Sequence, residues 1–356
     1  MPAFRTGASA LSPYQAGRPI EEVARDLGID PVKLIKLASN ESPVGPFPEV
    51  ISAVVAAASG VNRYPDNDWH DLAKAMSASL GVAPNQLMFG GGSSELLRVI
   101  ALSVGGAGTS AVYAWPSFII YRMATALAGA EGIEVPLSQQ THDLEAMLAA
   151  IRPDTTVAYV CNPNNPTGTH VPAHTVVRFI ERVPERVLVV IDEAYHEYVT
   201  APDHRTAIPE ALLRPNVVVT RTFSKVYGLA GLRVGYAVGQ SQTLLDLRRA
   251  QAPFTVNALA QVAALTALRF PEQVQQRAGL NAEERTRLEK ELAARDVVHV
   301  PSQANFVYIK SAVYEALLTH GVIARPMGDE WIRVTIGAPE ENERFLAALD
   351  EISRPI

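Results

Sequence analysis

Short runs of apolar, mostly β-branched residues alternate with longer amphipathic stretches along most of this chain. The runs at 156–161 (TVAYVC), 187–191 (VLVVI), 217–220 (VVVT) and 233–238 (RVGYAV) lack the strict apolar–polar alternation of a half-exposed strand. Segments of that kind suit strands covered on both faces. Around them, apolar positions recur at helical spacing over 49–58, 69–80, 95–104 and 173–182. Strands and helices in alternation predict an α/β fold built on a doubly wound, mostly parallel sheet. Ahead of it, residues 1–35 read as an arm with a short helix over 20–27, ended by Gly28 and Pro31. After Pro253 the texture changes to a helical pattern over 257–294, interrupted near Pro271, whose second half carries charges spaced for a solvated face. Strand candidates at 306–309 and 332–336 then flank a helix at 312–320. The expected organisation is an arm (1–35), a large domain (36–252) and a smaller α+β domain (253–356) to which the arm contributes.

Composition narrows the function classes. With 356 residues, 48% hydrophobic and 19% charged, the chain suits a packed protein of two domains. A formal net charge of −6 leaves no basic footprint for nucleic acid and no polybasic patch for a membrane. Cys161 is the sole cysteine, so no intramolecular disulfide and no cysteine metal cluster is expected. The amino-terminal residues lack a basic segment followed by an apolar core, and no apolar stretch approaches the length of a membrane span. A cytoplasmic, soluble protein without a metal is the expectation.

Four turns carry candidate chemistry. Arg221-Thr222-Phe223-Ser224-Lys225 follows a strand candidate, with Gly228, Gly231 and Arg233 behind it. A lysine at a strand end is ordinarily a solvated surface residue. Two hydroxyls and Arg233 nearby suit a phosphate, however, and a fixed cation with partial burial lowers a lysine's pKa, as imine chemistry requires. Asp192-Glu193-Ala194-Tyr195 ends the apolar run at 187–191. An acid there is a turn former or helix cap, or a carboxylate that keeps a pyridine nitrogen protonated. In Cys161-Asn162-Pro163-Asn164-Asn165-Pro166-Thr167-Gly168, two Asn-Pro steps and a glycine make a rigid turn. Gly90-Gly91-Gly92-Ser93-Ser94-Glu95 is a glycine-rich loop opening a helix, suited to an anion but neither a Walker loop nor GxGxxG. Each turn follows a strand candidate, so all four are expected on one edge of a parallel sheet. Together they supply what one cofactor, pyridoxal 5′-phosphate, needs at its phosphate, ring and aldehyde.

At this point the sequence resembles the fold-type I aminotransferases, in particular the histidinol-phosphate aminotransferase branch. The resemblance rests on LASNESPVGP (37–46), NRYPD (62–66), GGGSSE (90–95), CNPNNPTG (161–168), IDEAY (191–195), RTFSKVYGLAGLRVGYA (221–237), PSQANFV (301–307) and IRVTIGAPEEN (332–342), and covers nearly the whole chain. It implies that Lys225 forms the Schiff base and shuttles the proton, that Asp192 pairs with the pyridinium nitrogen, and that Asn165 and Tyr195 hold the phenolic oxygen. Ser93, Ser94, Ser224 and Arg233 would hold the phosphate, with Thr222 assisting. Phe118 takes the place of the ring-stacking aromatic, which is tyrosine in much of this branch. Tyr64 would reach the phosphate of a neighbouring subunit, which implies a homodimer with shared active sites. On the substrate side, Arg333 corresponds to the family's anion-binding arginine, Tyr14 to a tyrosine that closes over the substrate, and Arg325 to a second, substrate-phosphate arginine. Asn40 would order the entrance.

The implied reaction is ping-pong transamination between an amino donor and a 2-oxo acid. Histidinol phosphate with 2-oxoglutarate, giving imidazole-acetol phosphate and glutamate in histidine biosynthesis, is the first expectation. Phenylalanine or tyrosine as donor is the alternative, and a decarboxylase on the same fold would keep every cofactor residue. A cofactor-sensing regulator would need a DNA-binding segment that the chain does not spare.

Overall fold

The computed structural model describes residues 6–9, 11–14 and 17–353, so residues 1–5, 10 and 15–16 of the expected arm lie outside the described residues. Among the described residues thirteen strands follow one another: β1 (Ile35–Lys36), β2 (Leu87–Gly90), β3 (Ser110–Trp115), β4 (Glu131–Pro136), β5 (Thr155–Cys161), β6 (Leu188–Asp192), β7 (Val217–Thr222), β8 (Gly235–Gly239), β9 (His299–Val300), β10 (Phe306–Lys310), β11 (Val322–Ile323), β12 (Arg325–Pro326) and β13 (Trp331–Thr335). Seven of them form the large sheet, in the order β2-β8-β7-β6-β5-β3-β4.

The expected mostly parallel sheet is present. From β7 to β4 every pairing is parallel. The exception is β8, which lies antiparallel between β7 and β2. Two reversals cancel, so β2 runs in the same direction as β5, β6 and β7, and its carboxyl end reaches the same edge. The strand expected from 233 starts instead at Gly235, because Arg233 sits in the left-handed region with φ 58. Central strands β5, β6 and β7 are buried almost without interruption, as continuous apolar runs require in a sheet covered on both faces. Helices such as Ser93–Val104 and Ala173–Arg182 supply the cover.

The smaller sheet runs β12-β13-β10-β9, and beside it β1 pairs in parallel with β11. Its core joins Ile35 and Leu37 from the amino-terminal side to Val307, Ile309, Ile332, Val334 and Phe345. Helix Ala258–Ala267, although it lies beyond Pro253, packs through Ala260, Ala263, Ala264 and Ala267 into the large core. Its neighbour there is the helix Pro48–Ala57. Among the described residues no helix is long and apolar enough to cross a membrane, and no group of three or more His, Cys, Asp or Glu side chains is disposed to hold a metal.

Candidate active site

The turns after β2, β5, β6 and β7 meet at one edge of the large sheet, where open α/β sheets bind ligands, and β13 of the small sheet closes over them. Ser93, Ser94, Phe118, Asn165, Asp192, Tyr195, Thr222, Ser224, Lys225 and Arg233 line a single pocket, with Tyr14, Asn40 and Arg333 on its other side. Thirteen of the fifteen residues singled out from the sequence are thus brought together.

The pocket floor holds an acid. Asp192 ends β6, in register with Cys161 on one side and Thr220 on the other. Its Oδ2 accepts a hydrogen bond from the Tyr121 hydroxyl at 2.8 Å, whereas Oδ1 is buried without a partner. Burial pushes its pKa up to about 6, against the pull of the bonds it accepts. An unpaired buried acceptor is costly, so this atom calls for a donor from the pocket.

Lys225 follows β7 by three residues. Its Nζ donates to the carbonyl of Asn40 at 3.0 Å and to that of Ser39 at 3.4 Å. Burial, aided by the positive charges of Arg333 and Arg233, brings its pKa down to about 7. Asn40 touches several groups at once. It adopts the left-handed conformation (φ 53), its Nδ2 donates to the Tyr195 hydroxyl oxygen at 2.9 Å, and its backbone N–H donates to Thr335 Oγ1 at 2.9 Å. Since Asn40 occupies a lone pair of that hydroxyl, the Tyr195 proton remains available for an acceptor in the pocket. The Asn165 Oδ1 accepts from Arg333 Nη1 at 2.5 Å, and Arg333 Nη2 donates to the Ala38 carbonyl at 2.8 Å. Arg333 Nε is buried without a partner.

The opposite end is a cradle for an anion. Ser93 and Ser94 open the helix Ser93–Val104, and the start of a helix, whose first amides lack partners within it, suits negative charge. Gly92, the residue before it, has φ 86, and a Cβ there would come within 2.3 Å of Arg233 Nη2. Arg233 Nη1 donates to Ser224 Oγ at 3.2 Å and to the Ala230 carbonyl at 2.9 Å. Thr222 Oγ1 accepts from the Ser224 N–H at 3.0 Å, so its hydroxyl shapes the turn. Glu95 Oε2 accepts from the Gly91 N–H at 2.7 Å and steadies the glycine loop.

Two expected residues stand apart. Tyr64 is 82% exposed and stacks on Phe254, with ring centroids 4.6 Å apart; it does not line the pocket of its own chain. Arg325 stands behind Tyr14, its guanidinium 5.4 Å from that ring's centroid. Sequence reading missed Tyr121, which lies one helical turn beyond Phe118 on the same face and packs edge-on against it. Spacing from Phe118 was the available signal. Glu95, Ser39 and Asn305, whose Nδ2 donates to the Asn40 carbonyl at 3.1 Å, were also unread; the last two depend on contacts across the fold.

Comparison with known proteins agrees with this geometry. The sequence profile of the family described as "Aminotransferase class I and II" matches residues 32–349. Histidinol-phosphate aminotransferase 2 of Ralstonia nicotianae is 43% identical over 353 residues, spanning 96% of this chain and 94% of that protein. Histidinol-phosphate aminotransferase 1 of Dechloromonas aromatica is 45% identical over 350 residues, spanning 96% of each. Among solved structures, the histidinol-phosphate aminotransferase of Sinorhizobium meliloti in complex with pyridoxal 5′-phosphate superposes with a TM-score of 0.90 at 30% identity, over 98% of this chain and 97% of that one.

Proposed function

This chain belongs to the aminotransferase class I and II family, and from that premise we propose that it moves the amino group of histidinol phosphate to 2-oxoglutarate, as a cytoplasmic homodimer. Pyridoxal 5′-phosphate is its cofactor. The observation that carries the reading is the unpartnered, buried Asp192 Oδ1 in the same pocket as Lys225, an amine brought down to about 7. The residues fit that cofactor. A pyridinium N–H is the donor Asp192 Oδ1 lacks, and the Ser93, Ser94, Ser224 and Arg233 cradle offers hydroxyls, helix amides and a guanidinium for a phosphate.

When bound, the cofactor supplies an aldehyde for the amino group and a cationic ring that spreads the charge left on the substrate carbon. Everything else falls to the chain. Asp192 would hold the ring nitrogen as a full carboxylate, since opposite charge lowers a buried acid's pKa. Lys225, with a pKa near the working pH, both gives and takes a proton at Nζ. Tyr195 and Asn165 hold the phenolic oxygen, and Phe118 stacks on the ring. Arg333 grips an anionic group of the substrate. Arg325, behind Tyr14, meets the substrate phosphate as Tyr14 closes, and Tyr64 reaches the phosphate of the partner's cofactor.

The deciding experiment compares turnover of histidinol phosphate and phenylalanine under identical conditions, identifying the keto products. Histidinol phosphate is expected to give the higher kcat/KM. Arg325→Ala is expected to raise its KM roughly tenfold while leaving that of phenylalanine unchanged, as loss of one charge-assisted contact predicts. Preference for phenylalanine would overturn the substrate reading, and a decarboxylated product would overturn the transfer itself.

A further inference from the structure

Behind the pocket wall, a buried hydrogen-bond network joins the turn that carries Phe118 to the turn that carries Asn165. Its centre is the Asn164 side chain, 1% exposed. Asn164 Oδ1 accepts from Ser117 Oγ at 2.7 Å and lies 3.0 Å from His142 Nε2. Its Nδ2 donates to the Pro116 carbonyl at 3.2 Å and to Thr167 Oγ1 at 2.9 Å. A carbonyl can only accept, so Pro116 fixes the amide nitrogen on its side and the amide oxygen on the other. Both Ser117 and His142 must therefore donate. His142 carries its proton on Nε2, and its Nδ1 is buried without a partner. Burial holds the imidazole down to about 4, which keeps it neutral.

The delivery of His142 is itself unusual. It follows a tight turn in which Ser138 and Thr141 exchange two backbone hydrogen bonds of 2.9 Å. Both central residues, Gln139 (φ 48) and Gln140 (φ 62), are left-handed, and neither is glycine. Such strain persists only where surrounding contacts over-determine it. Here one contact is visible: Thr169 Oγ1 donates to the Gln140 carbonyl at 2.8 Å, and Thr169 also bonds Thr167 at 2.9 Å. The strained turn is thereby tied to the far end of the Asn-Pro turn.

We propose that His142 is a positioning residue for the cofactor site: its Nε2–H bond to Asn164 locks the two turns together and sets the gap between the Phe118 face and the Asn165 amide. The inference rests on the reading that these two residues hold the pyridoxal ring. His142 does not line the pocket, which separates it from the residues that do.

The test is equilibrium dialysis of the full chain against pyridoxal 5′-phosphate, with the circular dichroism of the bound cofactor as a second readout. His142→Leu is expected to raise the Kd roughly tenfold, the effect of stranding one buried acceptor bond, and to alter the dichroic band. In His142→Gln the terminal nitrogen falls where Nε2 lies, so affinity and band return. In His142→Asn the nitrogen falls where Nδ1 lies, and the variant behaves as leucine does. A Kd and band unchanged in His142→Leu, or a glutamine variant as weak as the leucine one, overturns the proposal. If His142→Leu does not fold, Ser117→Ala decides: it removes the other donor to the same oxygen, and an unchanged Kd there overturns the proposal equally. Phe118→Leu, measured in parallel, separates the two readings. A weakened Kd there with none at His142 sinks this inference alone, whereas an unchanged Kd there removes the site reading beneath it.

Discussion

Lys225 is the residue on which the proposed chemistry turns, and its environment makes its behaviour testable. Burial lowers its pKa to about 7, so the neutral amine, the form that adds to an aldehyde, accumulates as pH rises through 7. The rate at which cofactor-free protein takes up pyridoxal phosphate should climb through that window and level above it; a pH-independent rate from about 6 to 8, one unit either side of that pKa, would contradict the assignment. Lys225→Ala should lose turnover by on the order of 10⁴-fold and lose the covalent label that borohydride leaves on the native chain. The same logic applies to folding. A lysine whose pKa is depressed by the fold costs stability wherever the unfolded chain takes up the proton first, so the stability present above 10.5 is lost progressively as pH falls from there to about 7. Asp192 has the opposite displacement, upward to about 6. Its contribution is present at low pH and lost as pH rises through 6, unless a ring cation arrives to pair with it.

At the scale of elements, the turns matter more than the strands they follow. The glycine loop after β2 reaches Arg233 because Gly92 has no side chain and a φ of 86. Gly92→Ala should therefore both strain the backbone and displace the guanidinium. A stability loss of about 1–3 kcal/mol is expected, with a raised Kd for pyridoxal phosphate; thermal unfolding and dialysis measure the two. Substitution of Gly45, where a Cβ would meet nothing within 4 Å, is the control for a generic glycine effect. The turns were legible in the sequence because their chemistry is local: Asn-Pro, Gly-Gly-Gly and Ser-Lys steps encode their own conformations. The direction of β8 was not. An apolar run reads the same whether its neighbours run parallel or antiparallel, and the path of the chain between Thr222 and Gly235 decides the direction.

For the whole molecule, Tyr64 makes the argument for two chains. It is exposed and stacked on Phe254, away from its own pocket, so its expected task lies in a partner's site. Mixing Tyr64→Ala chains with Lys225→Ala chains tests this. Each variant alone should be impaired, and the hybrid should regain activity, because the chain with an intact Lys225 then receives an intact Tyr64 from its partner. If Tyr64 served its own site, no hybrid would hold a complete one and no activity would return. The small sheet contributes at this scale too. Arg333 on β13 reaches Asn165 and the Ala38 carbonyl, so any shift of the small sheet moves a guanidinium that lines the pocket.

The sequence by itself determined the buried parallel strands β5, β6 and β7, the four turns at their edge, and the place of Lys225 on one of those turns, because period, turn chemistry and residue type are properties of neighbouring residues. Tertiary structure alone decided what meets those residues. Tyr121 beneath Asp192, Asn40 beneath Lys225 and Tyr195, Arg333 against Asn165, and His142 behind Asn164 are pairs separated by 22 to 185 positions. Whether a lysine is an ordinary surface cation or an amine that titrates at about 7 depends on burial and on charges brought from elsewhere in the chain, and those exist only once the fold has closed.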